Sequence, residues 1–162
     1  MEFKKEKVYT PLAATPTHNV SQAIKYGNLV FVSGMVGEDE NEVLKEGLEA
    51  QCEQAFINMK NVLEAAGSSL EKVLFCQIFI AKREDRAIAN EVWDRFFLNM
   101  DVGPARYTVV APTVAEPYLF EITCVADFPA DCDPCVEIHD GDYIRLDGIN
   151  GTVEILVPAE DK

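Results

Sequence analysis

The apolar positions of this chain alternate between two spacings, and each change of spacing marks an element. Lys7-Val8-Tyr9 reads as a short first strand. Ala23-Ile24-Lys25-Tyr26 and Leu29-Val30-Phe31-Val32-Ser33-Gly34 are β-rich runs joined by Gly27-Asn28, a two-residue hairpin signal. From Glu46 to Ala66 the period becomes helical: Leu48, Cys52, Ala55, Phe56, Met59, Val62, Leu63 and Ala66 form one stripe, with Gly67 as its C-terminal stop. Val73 to Ala81 has scarcely a polar break and predicts a central strand covered on both faces. Asp85 to Leu98 predicts a second helix with Ile88, Val92, Trp93, Phe96 and Phe97 inward. After that short first strand, strands near Arg106–Ala111 and Tyr118–Asp127 complete the order β-β-α-β-α-β-β.

Strands interleaved with helices predict an α+β fold, a mixed sheet with two helices on one face. The opposite face, with Phe31, Phe75, Phe79 and Phe120 assigned to it, then needs cover, which predicts an oligomer. Pro129 to Pro134 reads as a linker, and three short strands follow, at 136–138, 143–146 and 152–157. The expected organisation is a main domain over 1–130 and, over 131–162, an acidic linker and C-terminal β meander.

Composition narrows the function. A chain of 162 residues with 48% hydrophobic and 26% charged residues is an ordinary globular domain. The net charge of −14 excludes nucleic acid as the expected partner, because no basic face is available. No apolar run reaches the ~20 residues of a membrane span, and the charged N-terminus does not read as a secretory signal. Five cysteines, three of them (Cys52, Cys76, Cys124) in apolar periodic segments, predict reduced core thiols and a cytoplasmic protein.

Two charges stand out. Arg106 opens the strand-like run Tyr107-Thr108-Val109-Val110-Ala111, and Glu121 sits within Leu119-Phe120-Glu121-Ile122-Thr123-Cys124. Charges in such apolar runs are costly unless partnered. A guanidinium not satisfied internally is a good receptor for a carboxylate, since its fork matches that anion with two parallel hydrogen bonds. As a simple hairpin the last two strands would set Arg106 opposite Glu121 as an ion pair.

Several segments together carry a family resemblance: Ser21-Gln22-Ala23-Ile24, Gly27 to Gly34, Gln51 with Asn58, Leu63 to Gly67, Asn90 with Phe96-Phe97, Pro104-Ala105-Arg106, and Glu121-Ile122 with Val125-Ala126. Their order and separation, from about Val8 to Ala130, resemble the RidA (YjgF-type) family of reactive-intermediate imine deaminases. The resemblance implies a chorismate-mutase-like fold in which the Val73–Ala81 strand lies between the last two. It further implies a homotrimer with intersubunit pockets; no cofactor is expected, and imine hydrolysis requires no metal. The implied reaction is hydrolytic deamination of small 2-imino acids, such as 2-iminobutanoate and 2-iminopropanoate, to 2-oxo acids and ammonia. By position, Arg106 would bind the substrate carboxylate and Glu121 would hold the attacking water. Ser33 and Gly34 would line the pocket, with Asn90 nearby.

The chain departs from that pattern at the pocket. Val20 replaces the family's Tyr, Met35 replaces its Gln after Ser-Gly, and the bulky Tyr107 follows Arg106. Tyr26, Tyr107 or Tyr118 could supply the phenol instead. The alternative reading is a non-catalytic trimer that binds small carboxylates as a sensor or assembly module. Imine hydrolysis itself asks for little, namely an oriented substrate and an acceptor for water. Elsewhere, Cys132-Asp133-Pro134-Cys135 with His139 offers three of the four ligands a structural zinc site wants and reads as surface thiols. His18 reads as a loop residue, and residues 140–151 lack calcium-loop spacing. Residues 141–153 resemble the closing hairpin of the swivelling phosphohistidine domain of phosphoenolpyruvate-utilising enzymes, without its phosphorylated His, and read as a structural addition.

Overall fold

The computed structural model describes residues 4–113, 115–128, 143–147 and 152–157. The chain separates into two compact units, Met1–Phe128 and Pro129–Lys162. The first contains strands β1 (Glu6–Val8), β2 (Ala23–Tyr26), β3 (Leu29–Val36), β4 (Val73–Ile80), β5 (Ala105–Val110) and β6 (Phe120–Asp127). Its helices are α1 (Leu48–Ala65) and α2 (Arg86–Phe97). In the second unit β7 (Tyr143–Asp147) pairs antiparallel with β8 (Thr152–Val157). The expected strand at 136–138 and the cysteine motif at 132–139 lie outside the described residues.

The six strands are ordered β1-β2-β3-β6-β4-β5. Among the paired strands described, β4 and β5 are the one parallel pair, as a strand–helix–strand connection through α2 requires. The last strand, β6, slots between β3 and β4, antiparallel to both. β4 therefore separates β5 from β6, and the simple hairpin does not form.

Local chemistry explains the boundaries. Gly27 has φ 63°, the left-handed conformation that a tight hairpin turn demands. At the end of α1, Gly67 takes φ 81° while the Ser68 N–H donates to the Leu63 carbonyl at 2.8 Å and the Gly67 N–H to the Glu64 carbonyl at 3.0 Å. Those two bonds satisfy carbonyls that the helix leaves orphaned. The acidic loop after β3 is ordered by Asp39, whose carboxylate accepts from the Asn41 and Val43 N–H groups and from Lys45 Nζ at 2.7 Å. The Lys45 bond comes first among the causes holding Asp39 below the usual carboxylate range.

The core lies on one face of the sheet. Cys52, Ala55, Phe56, Met59, Val62 and Leu63 of α1 pack with Val30, Val32, Ile78, Ile80, Phe120, Ile122 and Cys124. Phe56 stacks on Phe96 at 4.8 Å and meets Phe120 at 5.8 Å. Three expectations are corrected here. β4 is covered on one face only within the chain, since Cys76, Ile78 and Ile80 are buried while Phe75, Gln77 and Phe79 remain partly exposed. Phe120 belongs to the helix-covered face and is fully buried, because Glu121 takes the other side of the alternation. Ile88 is 39% exposed and Ala89 is buried in its place; the stripe runs Ala89, Val92, Phe97, and Ile88 is one helical step off it. On the uncovered face Phe31 and Tyr107 are 44% and 47% exposed.

Candidate functional site

The sequence-derived site residues fall into two groups. Val20, Ser33, Gly34 and Glu121 line one cleft of about 200 Å³, with Glu38 and Asn58 in its walls. Arg106 and Tyr107 line a second cavity of about 400 Å³. Asn90 joins Arg106 directly, as its Oδ1 accepts from Nη2 at 2.8 Å.

The first cleft is built by buried amides. Gln22 is 1% exposed; its Oε1 accepts from the Thr10 N–H at 2.7 Å, and its Nε2 donates to the carbonyls of Thr10, Ala13 and Ala14. This ties the loop of residues 10–20, and with it Val20, to the start of β2. Asn58 of α1 donates through Nδ2 to the Val36 and Glu38 carbonyls at 3.0 and 2.6 Å, fixing the end of β3. Gln51 does the same for the approach to β6, donating to the Pro117 carbonyl and accepting from the Leu119 N–H. Each amide satisfies backbone groups that would otherwise be buried unpaired.

Within this frame Ser33 Oγ donates to the Ser21 carbonyl at 2.7 Å. Register between β3 and β6 shifts at Val32/Met35, a bulge that turns Gly34 towards Glu121. A Cβ placed at Gly34 would stand 1.9 Å from Glu121 Oε1, so only glycine leaves room for the carboxylate. Among the described residues Glu121 makes no ion pair, and burial pushes its carboxyl above the usual range. A carboxyl so placed is suited to accept a hydrogen bond from water and to take up and return a proton.

Arg106 lies on the other face. It stands in register with Cys76, which is fully buried among the helices, whereas Glu121 stands in register with the partly exposed Phe79. Its guanidinium carbon is 4.4 Å from the centre of the Trp93 ring. An aromatic face and a neutral amide oxygen orient the cation, and among the described residues no carboxylate lies within ion-pair distance of it. Burial, then repulsion from Arg86, lower its pKa, while Asp94 acts the other way. Arginine stays charged regardless. The result is a half-buried, preoriented cation with donors to spare.

Of the three candidate phenols, Tyr107 lies by Arg106, its ring 5.5 Å from Phe75. Tyr118 donates to Glu38 at the wall of the first cleft, and that bond, ahead of burial, raises its pKa. Tyr26 ends β2. Sequence reasoning missed Glu38, Trp93, Arg83 and Arg86, the last two lining the Arg106 cavity. The Lys82–Arg86 charge run was the available signal. His18, at φ 54°, forms a turn with Asn19. Cys52 and Cys76 are pushed up to about 12 by burial and Cys124 well above its ordinary value, so these thiols are core rather than nucleophiles. Among the described residues no three His, Cys, Asp or Glu side chains gather as metal ligands, and no helix is long and apolar enough to cross a membrane.

Residues 10–128 match the family model described as endoribonuclease L-PSP. A RutC family protein of Saccharolobus solfataricus is 36% identical over 124 residues, 75% of this chain and 97% of its own. A 2-iminobutanoate/2-iminopropanoate deaminase of Dermatophagoides farinae is 38% identical over 107 residues, 65% of this chain and 82% of its own. The crystal structure of RidA from an Antarctic Psychrobacter superposes with a TM-score of 0.71 at 33% identity, covering 75% of this chain and 98% of that one. A family match over residues 10–128, relatives more than 30% identical over most of their own length, and a superposable crystal structure converge on one assignment: the chain belongs to the RidA/YjgF, or endoribonuclease L-PSP, family.

Proposed function

We propose that this protein hydrolyses small 2-imino acids to 2-oxo acids and ammonia, in pockets completed by neighbouring subunits of a homotrimer. The observation that carries the reading is a pair of unmatched charges. Among the described residues, Arg106 is oriented by Asn90 and Trp93 without a carboxylate, and Glu121 is desolvated without a cation. Because the two occupy opposite faces of the sheet, one substrate reaches both only if a second copy brings its Glu121 cleft to Arg106. The exposed Phe31 and Tyr107 on the uncovered face support such an association.

The chemistry follows from these roles. Arg106 anchors the carboxylate through its fork. Water held by Glu121 adds to the C=N carbon, and its first proton passes through the Glu121 carboxylate to nitrogen, giving a carbinolamine. Glu121 then relays the hydroxyl proton to the amine as the C–N bond breaks, so ammonia leaves and the water oxygen becomes the carbonyl oxygen. A raised pKa suits a group that must accept and return a proton near neutrality. The net charge of −14 argues against an RNA substrate, and the free buried Cys52, Cys76 and Cys124 support a reducing, cytoplasmic setting.

A second reading, carboxylate binding without turnover, is favoured by Val20, which lines the Glu121 cleft and offers no hydrogen bond. One experiment separates them. With an amino-acid oxidase generating imine in situ, the catalyst accelerates 2-oxo-acid formation and Arg106→Ala abolishes the acceleration. A binder shows pyruvate-dependent thermal stabilisation, lost in the same variant, with no acceleration.

A further inference from the structure

The Arg106 cavity is more cationic than one monocarboxylate requires. Three of the chain's five arginines, Arg83, Arg86 and Arg106, line it, in a protein of net charge −14. None of the three lies within ion-pair distance of a carboxylate among the described residues, whereas Arg95 is held by Glu49 and Glu53. The acids close by make no ion pair with them: Asp85 accepts from the Lys82 N–H at 3.1 Å, Glu84 is exposed, and Asp94 acts on Arg106 only through its charge.

The placement of these cations leaves their charges mutually repulsive. Arg86 is the first residue of α2, whose first turn carries no acidic side chain. A cation there opposes the positive end of the helix dipole. Arg86 also repels Arg106. A single extra negative charge in the cavity would relieve both repulsions at once. The volume of about 400 Å³ exceeds what a three- or four-carbon acid fills.

We propose that Arg83 and Arg86 form a second anion subsite, so that the preferred substrates are 2-imino dicarboxylates, with the 1-carboxylate on Arg106 and the distal carboxylate on Arg83 and Arg86. This rests on Arg106 as the primary carboxylate dock. The reaction is unchanged: water adds, ammonia leaves, and the distal carboxylate takes no part beyond binding.

The test is calorimetric binding of two product-side probes of equal carbon number, 2-oxoglutarate and 2-oxopentanoate, to the full chain at low ionic strength. Both Arg83 and Arg86 are exposed, so Arg83→Gln/Arg86→Gln is expected to fold normally. For the wild type, 2-oxoglutarate binds about fivefold more tightly, the margin that partly exposed ion pairs supply, and added salt erodes it. The double variant loses the margin and keeps its affinity for 2-oxopentanoate. Equal affinities in the wild type, or a margin that survives in the double variant, overturn the subsite while leaving the Arg106 dock intact. If neither acid binds the wild type, or binding survives Arg106→Ala, the dock itself fails and the subsite with it.

Discussion

Arg106 and Glu121 lie on opposite faces of one sheet, with β4 between their strands. The separation means that neither residue can neutralise the other within a chain. In the proposed trimer one site draws its cation and its carboxyl from different subunits.

Subunit mixing tests that arrangement. Arg106→Ala and Glu121→Ala chains are each expected to be inactive alone. Refolded together in equal amounts, they regain about a quarter of wild-type activity, because random assembly unites both intact residues in one site in four. No recovery in mixed trimers confirmed by mass would show that each site is built within one chain.

Gly34→Ala separates activity from stability. The new methyl meets Glu121 Oε1, the free end of a flexible side chain, rather than backbone. The carboxyl swings aside, with a stability cost below about 1 kcal/mol. Displacing it by an ångström or more is expected to lower kcat/KM about a hundredfold. A melting temperature that falls as sharply as activity would mean that Gly34 serves the fold instead.

Stability should carry a signature of Glu121 ionisation. Burial raises its pKa in the folded state, so the folded chain holds this proton more tightly than the unfolded chain. Its contribution is fully present below the ordinary glutamate value and is lost as pH rises through the raised one. Glu121→Gln removes that loss. The melting temperature of the variant relative to wild type is therefore expected to climb across this window and level off above it. A flat difference would place the carboxyl in a well-solvated setting.

Gly67→Ala is a test of the fold alone. The position has φ 81°, and an added Cβ would lie 2.9 Å from the Phe128 ring. Left-handed backbone costs a non-glycine residue about 1–2 kcal/mol. Urea denaturation should show a loss of at least that size, with unchanged kcat/KM at temperatures where the variant is folded. A neutral result would mean that α1 ends by another route.

Much of this molecule was legible as a one-dimensional pattern. The α1 stripe, the Gly67 stop and the Gly27-Asn28 turn are local, because helical periodicity and positive φ depend on neighbouring residues. The identity of the charged pair was legible too, since an arginine and a glutamate in apolar strands are conspicuous. What only tertiary structure decided is which faces and neighbours those residues acquire. Glu121 faces away from Phe120 because β6 alternates, yet the side that the helices would cover depended on long-range pairing with β3 and β4. Trp93 beneath Arg106, and Arg83 and Arg86 beside it, come from a helix crossing the sheet, a juxtaposition that no spacing along the chain encodes. Contacts between residues distant in sequence are fixed by the packing of whole elements, and the surroundings of Arg106 and Glu121 come from that packing.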